Sequence, residues 1–218
     1  FPQTDARWEI TYKIFANGII KVNNRFVAEG KETPMIPRVG LRMQLSETLT
    51  NLTYYGRGPE ENYRDRRTSQ FIGEYTIPIK DMYEPYVRPQ ENEHRTDIYW
   101  CALTNKQKGG LLFIADRTFE LNASNYPLGT LDSGETIDNG APRTEQTNHR
   151  HLTDPQPEKL VDMFIDYRMM GVGGDNSWGA TAHEPYLIRP GVENAIEYGF
   201  SIVPFDKKTD YKNLIYQY

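Results

Sequence analysis

Asn17-Gly18 separates two runs in which apolar residues recur at every second position, and this pattern limits the possible folds more than any other feature of the chain. Before it, Trp8, Ile10, Tyr12 and Ile14 alternate with Glu9, Thr11 and Lys13; after it come Ile20 and Val22. Successive side chains of a strand point to opposite faces, so the alternation predicts strands with one covered and one wet face. Asn and Gly both tolerate the positive φ of a tight hairpin turn. Together the two runs and the dipeptide predict a hairpin.

The same period returns at Val39, Leu41, Met43 and Leu45, at Met163, Ile165, Tyr167 and Met169, and at Ile196, Tyr198, Phe200 and Ile202. Leu111 to Ala115 is a continuous apolar run, which predicts a strand covered on both faces. No window of helical length keeps an i, i+3, i+4, i+7 apolar stripe with caps. No internal repeat or break in composition marks a boundary. The expectation is an all-β chain, one large antiparallel β-sandwich domain over residues 1–218.

The chain carries 25 Lys and Arg against 30 Asp and Glu, a net charge of −5, and no basic run, which argues against a nucleic-acid surface. No stretch reaches the roughly 18 apolar residues of a membrane-spanning helix, so no membrane partner is expected. Cys101 is the single cysteine, which rules out an internal disulfide and reads as a small buried apolar residue. The chain opens Phe1-Pro2-Gln3 without a signal-peptide pattern. It reads as a piece of a longer protein, with its compartment left open.

Two long stretches, 56–95 and 116–154, lack periodicity and hold most of the polar residues of interest. In GRGPEENYRDRR (56–67), Glu60, Glu61 and Asp65 sit among four arginines. Paired carboxylates suit glycoside hydrolysis, but arginines at this density favour a loop tied down by ion pairs. In DMYEPYVRPQENEHR (81–95), Tyr83, Tyr86, Arg88, Glu91, Asn92 and Arg95 combine rings with hydrogen-bonding groups, as a sugar groove requires. A proline-stiffened loop over a sheet edge fits the same residues equally well. His149 and His151 are at i, i+2, a weak zinc pattern without a third ligand, and read better as histidines hydrogen-bonded in a polar groove. His94, His183, Asp116 and Asp175 add titratable groups that nothing in the sequence brings together. In GVGGDNSWGA (171–180), Trp178 stands among four glycines, Asp175, Asn176 and Ser177. An indole there is either a platform facing a sugar or a partner surface, or a ring folded back on its own domain.

Five segments, PRVGLRMQL (37–45), YYGRGPEENYRDR (54–66), YEPYVRPQENEHRTD (83–97), TNHRHL (147–152) and MGVGGDNSWG (170–179), resemble in order and spacing the small-chain, C-terminal domain of β-galactosidases of glycoside hydrolase family two. The resemblance extends from Trp8 to about Pro204 and implies a supersandwich similar to galactose mutarotase. It implies further that the catalytic glutamates, with magnesium and sodium, lie on a preceding (β/α)8 barrel, and that this chain contributes neither catalytic residues nor a metal or other cofactor site. Trp178 matches the tryptophan that such a domain lends to the barrel's pocket, where it stacks on the β-galactoside. Asp175, Asn176, Glu61, Glu91, Arg95, His149 and His151 are the accompanying groove candidates. Asn176 stands where the family's motif commonly has Asp, keeping the size and removing a charge. The expected partners are a carbohydrate, the barrel of the same chain and further subunits of a homo-oligomer. The competing expectations are a free-standing aldose 1-epimerase and a sandwich that serves only to bury interdomain surface.

Overall fold

The computed structural model describes residues 5–30, 34–131, 151–176, 178–191 and 195–217. Among the described residues nine strands run in chain order: β1 (Ala6–Ile14), β2 (Ile20–Ala28), β3 (Arg38–Ser46), β4 (Leu49–Gly58), β5 (Phe71–Pro78), β6 (Arg95–Asn105), β7 (Gly110–Ser124), β8 (Leu160–Met169) and β9 (Ile196–Phe205). A single helical turn, α1 (Tyr211–Leu214), follows. Every pairing is antiparallel.

The predicted hairpin forms. Ile14 pairs with Ile20, Gly18 takes a φ of +84°, and Asn17 Oδ1 accepts a hydrogen bond from the Ile19 N–H at 3.3 Å. The main sheet continues in the order β1-β2-β9-β7-β6-β4-β5. The 15-residue β7 joins two layers: Gly110–Ala115 pairs with β9, whereas Glu120–Ser124 pairs with β8, which in turn pairs with β3.

The main core lies between these layers. Leu52, Leu103, Phe113 and Phe200 of the main sheet meet Val161, Met163 and Ile165 of β8, with Leu41, Met43 and Leu45 of β3 packed alongside. A second cluster covers the opposite face of the main sheet, where Leu112, Ile114, Trp100 and Val203 pack under Tyr211 and Leu214. The run Leu111–Ala115 therefore has apolar neighbours on both faces, which is why it does not alternate.

β1 departs from its predicted burial. Ile10 is 39% exposed, Tyr12 56% and Ile14 76%. The period of the strand is right, but β1 is an edge strand that pairs with β2 alone, and of its alternating apolar row only Trp8 packs against a core cluster.

Candidate functional site

Residues 170–191 leave β8 beneath a buried polar network and form the loop that carries Trp178. The root of the loop is held by Glu120, whose Oε2 accepts the Met169 N–H at 2.6 Å. Arg64 Nη1 donates to Glu120 Oε1 at 3.0 Å, and His94 Nε2 lies 3.0 Å from Oε2. His94 Nδ1 faces Asn122 Oδ1 at 2.7 Å. Both ring nitrogens thus face acceptor oxygens, an arrangement that favours the imidazolium form. Burial opposes that charge, but the hydrogen bond and charge of Glu120, together with the charge of Glu91, raise the His94 pKa. The same pairing holds the Glu120 pKa below the usual carboxylate range although burial works against it.

Farther along, the Gly171 N–H donates to Tyr186 O at 2.8 Å, and the Gly173 N–H to Asp65 Oδ2 at 2.7 Å. A Cβ on Gly171 would lie 2.7 Å from Asp65 Cγ, so only glycine lets the backbone come this close to the carboxylate. At the tip, Asn176 Oδ1 accepts the Trp178 N–H at 2.8 Å, and His183 Nε2 lies 2.8 Å from Asp175 Oδ1. The indole is 92% exposed. It does not fold back on its own domain; the structure presents it outward on a loop pinned from beneath and across.

The remaining predicted residues have structural partners. Glu61 accepts from Arg66, from Tyr86 OH and, at 2.7 Å, from the Glu93 N–H. Arg57 and Arg67 both hold Asp97. The 56–67 segment is thus the ion-paired loop that its arginines favour. Glu91 accepts from Arg38 at 2.9 Å and from Tyr63 OH at 2.5 Å. Arg95 is buried, paired with Glu93 at 2.7 Å and hydrogen-bonded to Tyr54 OH and Pro59 O, so it braces the loop from inside and does not line an open groove. His151 is exposed, and its N–H donates to Asp154; His149 lies outside the described residues. Among the described residues no group of three or more His, Cys, Asp or Glu is arranged to hold a metal ion.

Sequence reasoning missed Arg38, Glu120 and Asp166 as parts of this network. They occupy alternating polar positions on β3, β7 and β8, a pattern that reads as a wet face. Asp166 is fully buried and 3.0 Å from Arg38 Nε, too far off line for a hydrogen bond. Burial pushes its pKa up to about 7, against the pull of Arg38 and His94. An acid whose folded pKa exceeds its unfolded value is protonated on folding, so stability falls as pH rises through that interval. A His94 pKa raised on folding acts in the same direction, because its stabilisation is lost as pH climbs through the folded value. Asp166→Asn is therefore expected to flatten the pH dependence of urea unfolding between about pH 5 and 7 by roughly 1 kcal/mol per pH unit. The His94 contribution at higher pH should remain.

The family model described as beta galactosidase small chain matches residues 1–202. A β-galactosidase of Priestia megaterium (strain DSM 319 / IMG 1521) is 32% identical over 179 residues, covering 82% of this chain and 16% of that protein. A β-galactosidase of Streptococcus thermophilus is 30% identical over 187 residues, covering 85% and 17%. The chain thus spans about one sixth of the length of these relatives. Among solved structures, a galactose mutarotase related enzyme from Lactobacillus acidophilus aligns with 94% of this chain and 63% of its own at 9% identity and a TM-score of 0.44.

Proposed function

Because the chain belongs to the β-galactosidase small-chain family, we propose that it forms one wall of the sugar pocket of a β-galactosidase and supplies Trp178 as the surface on which the galactoside stacks. The observation that carries this reading is the 92% exposed indole on a loop fastened at Met169, Gly171 and Gly173. A fixed, bare aromatic face surrounded by polar groups suits the C–H face of a pyranose. A single such face is worth about 1 kcal/mol, roughly fivefold in binding.

The chemistry itself belongs, on this reading, to another part of the polypeptide. A retaining hydrolase needs two carboxylates about 5–5.5 Å apart, one as nucleophile and one as acid and base. Glu61, Glu91 and Glu120 are each committed to arginine, tyrosine or histidine partners. The catalytic glutamates, with magnesium and sodium, are on this reading contributed by a barrel domain of the longer polypeptide. The chain alone should leave lactose intact. Proton NMR of the chain with lactose and freshly dissolved α-galactose tests this directly. Uncatalysed rates for both are the expected result. Faster anomer exchange would favour the epimerase reading, and cleavage of lactose would place a complete active site within these residues.

A further inference from the structure

An open groove of about 1060 Å³ runs across β1, β2, β9 and the middle of β7. The strand register lays its floor in rungs. Glu9, Arg25 and Glu197 form one rung, in which Arg25 bridges the two carboxylates through salt bridges of 3.2 and 3.0 Å. The next rung, Thr11, Asn23 and Gly199, leads to Asp116 on β7. Position 199 has no side chain, and those of Asp116 and Asn23 lean into the room it leaves. A Cβ on Gly199 would meet Asp116 Oδ2 at 2.3 Å and Asn23 Oδ1 at 2.9 Å, so two acceptor oxygens converge on the space above the glycine.

Neither of these side chains has a hydrogen-bond or ion-pair partner among the described residues, and the neighbouring Arg168 has only a cation–π contact with Tyr167. The Nε atoms of Arg64 and Arg168, both on residues of the lining, are buried without a hydrogen-bond acceptor. Taken whole, the lining carries as many carboxylates as guanidinium groups. An anionic ligand would meet the carboxylates, and a cationic one the arginines. A hydroxyl group donates and accepts at once, so a neutral polyhydroxylated ligand satisfies both sets. Tyr167 and Tyr198, with ring centroids 6.2 Å apart, add apolar surface to one wall. The volume is at the upper end of small-molecule sites.

We propose that this groove is a second carbohydrate site, in which Asp116 and Asn23 accept hydrogen bonds from hydroxyls of a neutral saccharide seated against these two side chains and Arg168 donates to its oxygens. The site is independent of Trp178 and does not rest on the stacking role given to that residue. Saturation-transfer NMR of the chain with millimolar lactose tests it. Transfer to the sugar is expected in the native chain and in Trp178→Ala, with at least a fivefold loss in Asp116→Ala and in Asn23→Ala. Both are exposed positions whose change leaves the core untouched, as circular dichroism would verify. No transfer in the native chain, or equal transfer in the Asp116 and Asn23 variants, would overturn the proposal. Loss in Trp178→Ala alone would also overturn it and leave the stacking role standing.

Discussion

Glu120→Ala is expected to lower the unfolding free energy by about 3–5 kcal/mol, the range found when one member of a buried ion pair is removed. Glu120 is 3% exposed and accepts from Arg64, from the Met169 N–H and from the protonated His94. Alanine would leave two cations and a backbone donor without their acceptor at a site where Glu120 and His94 are buried. Urea unfolding at pH 6 measures the loss. Glu120→Gln retains the shape and an acceptor for Met169 and should recover part of it. Above pH 7 the Ala variant should regain some stability, because without the carboxylate His94 can shed its proton and cease to be a buried charge.

Asp65→Ala should cost about 2 kcal/mol, the value of a hydrogen bond accepted by a charged group. Asp65 Oδ2 holds the Gly173 N–H, five residues before the tryptophan, and its carboxyl fills the space that Gly171 leaves open. With the clamp removed, the segment from Gly171 to Asp175 loses its fixed path, and the indole with it. Hydrogen exchange of the Gly173 amide should quicken, whereas amides of the β7–β9 ladder should not. Equal quickening throughout would mean that Asp65 stabilises the whole sandwich and does not act on the loop in particular.

The strands were legible because burial follows a period of two wherever one face meets the core. The alternation at β8 and β9 and the Asn17-Gly18 turn translate directly into register. What periodicity does not carry is how far the second layer extends. The apolar row of β1 has the same pattern as a covered strand, yet only Trp8 is half-buried, and only it packs against a core cluster. The polar network was hidden for a related reason. Glu120 and Asn122 alternate with Phe119, Leu121 and Ala123, and a polar alternate is indistinguishable in sequence from a wet one. At the candidate site, the composition of residues 171–180 gave the loop and the choice between two orientations of its tryptophan. The tertiary contact that fixes the outward one, Asp65 to Gly173, spans 108 positions and leaves no local signal.

On the proposed function, Trp178 acts on a sugar bound to another part of the same polypeptide. The measurement that tests it most directly is kcat/KM for lactose in the full-length polypeptide that contains this segment, with Trp178→Ala and Trp178→Phe compared at matched folding. An indole that is 92% exposed contributes little to the fold, so the melting temperature should not move. The Ala variant should lose roughly fivefold or more in kcat/KM, and Phe, which keeps a flat apolar face, should restore most of it. An unchanged kcat/KM in Trp178→Ala would contradict the account and leave the chain as packing surface alone.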